Sequence, residues 1–306
     1  MGRLRGRQAQ ANAHRPLPLR DGVAPSYLWL AADVPHLLEF LLRQYPDVTE
    51  ATWRARIARG EVVDGAGTPL AVASSLARGA RIWYYREIEA EPPIPFHEQI
   101  LHRDDDLLVV DKPHFLPMTP GGRYLQETLL VRLKRQLGEE RLTPIHRLDR
   151  ETAGVVIFSL REETRGAYQT LFQQRAVHKV YEALAAPMAR RFPFTYRSRM
   201  EEAAEFFRMR EVAGEPNSET LVDTIRAQGD AVLYRLEPHT GRKHQLRVHM
   251  AALGAPIFND GFYPDALPDK GDDFSRPLQL LARSIAFSDP LTGDPRYFES
   301  GRTLSP

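Results

Sequence analysis

Residues 144–159, PIHRLDRETAGVVIFS, set Arg147, Asp149, Arg150 and Glu151 immediately ahead of Val155, Val156, Ile157 and Phe158. The apolar run reads as a buried strand, and a chain seldom delivers this much charge to the edge of a core without a reason. A carboxylate in an enclosed site tends to protonate, because desolvation disfavours its charge, and a nearby arginine reverses that tendency. An aspartate so held can act as a nucleophile without a metal. Candidate partners are Arg147 and Arg150 beside it, and Arg242 or Arg247 after Gly241. Neighbours on a strand point to opposite faces, so the distant Arg247 is at least as suitable. On the residues alone, a structural ion pair at a strand start is the simpler account.

Other chemistries find little footing. There is no cysteine, which excludes disulfides, thiolate metal sites and a cysteine nucleophile. No G-x-x-x-x-G-K-S/T loop, G-x-S-x-G elbow or H-E-x-x-H pair occurs. His244 and His249 are five apart, a spacing that does not stack them on one helical face, so they read as hydrogen-bonding or surface histidines. Asp104–Asp106 resembles a turn, where Asp is favoured for backbone reasons. A hydrolase pairing Asp149 with Glu151 would need the second carboxylate across a scissile bond, and nothing in the pattern puts it there.

These groups need elements to carry them. A chain of 306 residues, 42% hydrophobic and 26% charged, has the composition of a globular protein and the length for two domains. Residues 1–25 read as a disordered basic arm, with Arg3, Arg5, Arg7, Arg15 and Arg20 free of apolar periodicity. Residues 26–90 read as a small α/β domain. Its helix over 36–46 carries Leu37, Phe40 and Leu41 on one face. A second helix is capped by Thr49 and closed by Gly60, and short strands follow at EVVDGAG and over 79–87. EAEPPIPF (89–96) is a linker. In 91–306, helices are predicted over 125–138, 161–174 and 242–254. Strands are predicted over 107–110, 155–158, 176–187 and 278–293, with a hairpin at Gln228-Gly229-Asp230. The irregular alternation favours an α+β fold with a mixed or antiparallel central sheet flanked by helices. No apolar stretch is long enough to span a membrane, and a cysteine-free chain suits the reducing cytoplasm.

HRLDRETAGVVIF resembles the H-R-L-D-x-x-T-S-G-L-L signature of the RluA-type pseudouridine synthases. Further segments agree in order: VVDKPHFLPMTPGG (109–122) with V-x-x-K-P-x-G-L-x-x-x-P, KVYEAL (179–184) with K-x-Y, and HTGRKHQLRVHMAALGAPIFND (239–260) with T-G-R-x-H-Q-I-R-V-H and its Gly-x-Pro-Ile turn ending in Asp. LLARSIAF (280–287) resembles the closing strand. Ala153, His114-Phe115, Lys243 and Asn259 depart from the usual residues. The resemblance implies the pseudouridine synthase fold and isomerisation of uridine to pseudouridine in ribosomal or transfer RNA, without metal or other cofactor. It implies Asp149 as the catalytic carboxylate, Tyr181 as the tyrosine that stacks on the target base, and Arg247 as the partner of the aspartate. Arg147 would fill the gap left by a flipped base. Arg150, Lys179, Arg242, Lys243 and His244 would contact RNA. Three routes are open to the carboxylate: attack on the pyrimidine ring, attack on the anomeric carbon, or loss of the 2′ proton toward a glycal. The order of elements in 26–90 is similar to the alpha-L RNA-binding module, with a basic helix reduced to Arg54, Arg56 and Arg59. A non-catalytic RNA-binding or chaperone protein on the same fold is the rival reading.

Overall fold

The computed structural model describes residues 15–88, 91–205, 207–268, 271 and 273–305. Arg3, Arg5 and Arg7 of the expected arm lie outside the described residues. The chain divides into two compact units, one running to Glu91 and including Gly122–Gln126, the other formed by Pro92–Gly121 and Glu127–Pro306.

In the first unit, β1 (Ser26–Trp29), β2 (Val62–Val63) and β3 (Arg81–Tyr84) form an antiparallel sheet in the order β1-β3-β2. Helices α1 (Leu37–Gln44) and α2 (Glu50–Ala58) cover it. The Thr49 hydroxyl accepts the Thr52 N–H at 3.2 Å and starts α2, the N-cap that the residue type dictates. Trp53 is fully buried between Tyr45 and Tyr84, and the Tyr84 hydroxyl donates to that of Tyr45 at 2.6 Å. Residues 15–25 are a correction to the expected disordered arm. Leu17 packs on the Val63–Trp83 cluster, and the Tyr85 hydroxyl donates to the Pro18 carbonyl. Arg20 lies over the Tyr85 ring and 2.6 Å from Glu61. Two prolines and no periodicity do not preclude order when single side chains find partners.

The second unit is built on an eleven-stranded sheet. Its elements are β4 (Gln99–Arg103), β5 (Leu107–Lys112), α3 (Leu129–Leu137), β6 (Thr143–Pro144), β7 (Ala153–Ser159), α4 (Glu162–Gln173), β8 (His178–Ala185), β9 (Phe194–Glu202), β10 (Met209–Val212), β11 (Ser218–Gln228), β12 (Ala231–Pro238), α5 (Gln245–Ala252), β13 (Leu280–Ser288) and β14 (Pro295–Glu299). The strand order is β10-β9-β11-β12-β8-β13-β7-β5-β4, with β14 on β13 and β6 on β7. Every pairing is antiparallel except the short β13–β7 contact, so the sheet is mixed and mostly antiparallel, and the fold is α+β. All seven residues of β7 are buried, as its continuous apolar run requires. Gly154 sits in that parallel contact at φ 115°, where an added Cβ would lie 2.2 Å from the Ala282 carbonyl oxygen. Only glycine allows so close an approach, and the approach fixes the start of β7 just after Asp149.

Two helices begin later than predicted. The Leu125 and Gln126 N–H groups donate to Glu91, each at 2.8 Å, so α3 starts only after its Thr128 cap. Gly138 ends it in the left-handed region, as expected. α5 starts at Gln245 because His244 adopts φ 55°, outside the helical region. Strands β1, β6, β9, β10 and β14 fall where the sequence pattern predicts none.

Candidate active site

Asp149 lies in the irregular segment between β6 and β7, not on a strand, with its side chain 27% exposed. Of the four candidate arginines, Arg247 reaches it: Nη1 donates to Asp149 Oδ2 at 3.3 Å. Arg247 projects from α5 and is 4% exposed. Its other edge is taken by Asp260, which accepts from Nε at 2.8 Å and from Nη2 at 2.6 Å. Asp260 is 1% exposed and is held in turn by the Phe262 and Tyr263 N–H groups. The Phe262 and Tyr263 rings flank the guanidinium at 4.8 and 5.4 Å. Burial works against the arginine's charge. The hydrogen bonds and charge of Asp260, joined by Asp149, outweigh that, and its pKa is raised. A bidentate pair at the back thus fixes the guanidinium, and a single looser bond faces the more exposed carboxylate.

The other side of Asp149 meets His244, whose Nε2 is 3.7 Å from Oδ1. Burial first, with Arg247 and Lys243 contributing, holds His244 down to about 4 against the opposing pull of Asp149, so the ring is neutral at physiological pH. Tyr181 stands on β8, opposite Leu236 of β12 and Ala282 of β13. Desolvation and then the charge of Asp149 push its phenol well above the ordinary range, so it is a hydroxyl donor throughout the working range. Lys179 is two residues earlier on the same face of β8, and burial, then Arg175, lowers its pKa.

The remaining predicted residues are spread more widely. Arg147 and Lys243 are exposed. Arg150 turns away from the carboxylate, donating to the Phe115 and Gly271 carbonyls. Arg242 is exposed and donates to the Asn217 carbonyl. Backbone carbonyls occupy both arginines, so neither serves as the partner of Asp149.

Three residues joined the site that sequence reasoning had not assigned to it: Asp260, Tyr263 and Lys112. Lys112 ends β5 fully buried, and its Nζ donates to the carbonyls of Pro113, Leu116 and Arg150 at 2.9, 2.9 and 3.0 Å. Desolvation lowers it to about 7 despite the pull of Asp149. Through the Arg150 carbonyl it ties the segment carrying Asp149 to the end of β5. Lys112 and Asp260 lie in segments that resemble the family pattern. The signal was there for the residue types but not for their partners. The acidic triplet is a turn, with Asp104 Oδ1 accepting the Asp106 and Leu107 N–H groups. His249 belongs to a separate buried network. Among the described residues no group of three His, Asp or Glu is placed to hold a metal ion, and no helix is long and apolar enough to cross a membrane.

The family model for RNA pseudouridylate synthases matches residues 106–252, the stretch from β5 to the end of α5. The dual-specificity RNA pseudouridine synthase RluA of Haemophilus influenzae is 30% identical over 226 residues, covering 70% of this chain and 97% of that protein. An uncharacterized RNA pseudouridine synthase of Synechocystis is 29% identical over 245 residues, covering 76% and 81%. The solved structure of human RNA pseudouridylate synthase domain containing 1 is similar in fold, with a TM-score of 0.57 at 24% identity over 70% of this chain and 86% of that one.

Proposed function

Because the chain belongs to the RNA pseudouridylate synthase family, we propose that it isomerises particular uridines of ribosomal or transfer RNA in the cytoplasm, with Asp149 as the catalytic carboxylate. The reaction breaks the bond from the anomeric carbon to N1, turns the uracil and joins the same carbon to C5. N1 gains a proton and C5 loses one, so the product has the mass of the substrate. One observation carries the assignment: a part-exposed carboxylate faces a buried arginine whose other edge is locked by Asp260. That arrangement keeps a fixed cation beside a carboxylate that a reactant can reach.

The target base must leave its stack, which costs a few kcal/mol and least in a loop; ribosomal and transfer RNA offer such loops. Tyr181 supplies the face on which the base stacks, and exposed Arg147 enters the gap it leaves. Arg242 and Lys243 meet phosphates from the start of α5. Lys179 and Arg150 are less accessible, Arg150 being bound to the Phe115 and Gly271 carbonyls, and contact RNA only at its edge; His244 acts through the carboxylate. We assign the first unit an accessory part in RNA binding, and expect it to be modest, because Arg54 pairs with Glu50 and Arg59 with Glu61 and Glu87.

The test is tritium release from ribosomal and transfer RNA transcripts labelled at uridine carbon 5, with mass-neutral pseudouridine as the product. RNA binding without tritium release would identify a non-catalytic RNA-binding protein instead.

A further inference from the structure

His244 occupies an unusual position. It is the N-cap of α5 at φ 55°, and its side chain makes no capping bond. A non-glycine residue in the left-handed region costs stability, and here that backbone aims a buried imidazole at Asp149. Its Nδ1 lies 2.9 Å from the Tyr263 hydroxyl. The same hydroxyl accepts the Met209 N–H at 2.8 Å. Tyr263 is buried, and among the described residues its oxygen meets only the Met209 N–H and Nδ1, so its single O–H proton is satisfied within the protein when it is donated to Nδ1. A neutral imidazole that accepts at Nδ1 carries its proton on Nε2. Nε2–H therefore faces Asp149 Oδ1 at 3.7 Å, while Arg247 holds Oδ2. The ring is steadied by Phe262 and Tyr263, at centroid distances of 5.6 and 5.7 Å.

We infer that Tyr263 and His244 form a neutral relay that presents a fixed N–H to Oδ1 of Asp149 and so sets the plane of the carboxylate before it meets the nucleotide. The inference rests on Asp149 being the catalytic carboxylate. His244 is a positioning residue: it acts through Asp149, not on the RNA. At 3.7 Å the contact is longer than a hydrogen bond, and it closes as the site fills, as contacts in unliganded sites commonly do. Two donors of different kind then grip the two oxygens. The cation supplies the opposite charge, and the neutral donor fixes the angle without adding a second positive charge beside the carboxylate. The groups facing the carboxylate are Arg247 and His244 from α5, Tyr181 from β8, Lys112 from β5 and the neighbouring Glu151. Asp260 stands behind Arg247.

The experiment compares His244→Ala, His244→Gln and Tyr263→Phe with the full-length protein. Single-turnover tritium release and affinity are measured on the labelled transcripts between about pH 5 and 9. His244→Ala is expected to slow turnover roughly 10- to 100-fold with affinity within about twofold. His244→Gln restores an N–H near Oδ1 and should recover most of that loss. Tyr263→Phe frees the tautomer and should slow turnover about fivefold. The ring stays neutral above about pH 5.5, so a limb near pH 7 belongs to Lys112, held down to about 7, and should be common to the wild type and both His244 variants. Equal losses in His244→Ala and His244→Gln, a loss expressed as weakened RNA affinity, or wild-type rates in both His244 variants would each overturn the relay. If Tyr263→Phe does not fold, the two His244 variants decide alone. Asp149→Asn is run beside them: turnover in that variant would remove the reading on which the relay rests, whereas an inactive Asp149→Asn with indifferent His244 variants removes the relay only.

Discussion

The six residues from His244 to His249 join two polar clusters of opposite character. Around His249, at the middle of α5, every group is closed. Its Nδ1 meets the Thr220 hydroxyl at 2.9 Å and its Nε2 meets the hydroxyls of Ser218 and Ser198 at 2.9 and 3.2 Å. Thr220 is tied to Gln245, and Gln245 to Thr240 and the Arg242 N–H. Around Asp149, before the start of the same helix, the carboxylate is part-exposed and its two protein contacts are 3.3 and 3.7 Å long. The first cluster satisfies buried polar atoms and asks for nothing more. The second leaves acceptor capacity for a reactant while its supporting shell, Arg247 on Asp260, is as tight as the first. A buried polar network stabilises when it is complete. A reactive site needs one member left incomplete.

The comparison breaks most sharply at Asp149 itself. Asp149→Asn keeps the shape and removes the charge, so turnover should fall by at least about a thousandfold while thermal unfolding stays close to wild type. Wild-type turnover in that variant would take Asp149 out of the mechanism. Arg247→Ala strikes the supporting shell of the second region, because it releases Asp149 and strands Asp260, a buried carboxylate. It should lose activity, with the deficit deepening toward acid pH. It should also lose about 3–5 kcal/mol of stability, readable by denaturant titration. A pH-independent deficit would leave Arg247 a purely geometric role.

His249→Ala tests the closed cluster. The Thr220, Ser218 and Ser198 hydroxyls each lose one partner while keeping another, and a buried ring is removed, so stability should drop by about 2–3 kcal/mol, while the folded fraction turns over at the wild-type rate. A slower rate per folded molecule would show that the two clusters are coupled. The histidines also predict a pH signature. Burial holds His146 at about 3, and His244 and His249 at about 4, against 6.5 in the unfolded chain. Folded values below the unfolded one mean that their contribution is present above pH 6.5 and is lost as the pH falls toward the folded values. Denaturation midpoints should therefore decline between about pH 6.5 and 4, and His249→Gln should soften that decline. The smallest effect is expected in the first unit. Since Arg54 and Arg59 are already ion-paired, replacing both with Ala should reduce the salt slope of RNA binding by less than about one unit per arginine. A larger change would mark that unit as a principal RNA contact.

The sequence alone determined what depends on local pattern. β7 was legible because four successive apolar residues can only be buried, and α2 because Thr49 and Gly60 punctuate it. Asp149 and Arg247 were legible as types of residue in recognisable segments. β9 was missed although Phe194, Tyr196, Ser198 and Met200 alternate with Thr195, Arg197, Arg199 and Glu201. β14 was missed because a strand opening on Pro295 is stabilised by pairing with β13 more than by its own residues. Residue type and spacing left four arginines open and only the family resemblance singled out Arg247; tertiary structure set it 3.3 Å from Asp149, while backbone carbonyls claimed Arg150 and Arg242. It also decided that Asp260 locks Arg247, that Lys112 is buried beneath the Asp149 segment, and that His244 leaves the helix to turn inward. Each of these is a contact between segments far apart in the chain. Residue type and spacing fix a donor's chemistry and its local conformation, but the acceptor it meets depends on how β5, β7, β8 and α5 pack, and no local window of sequence contains that information.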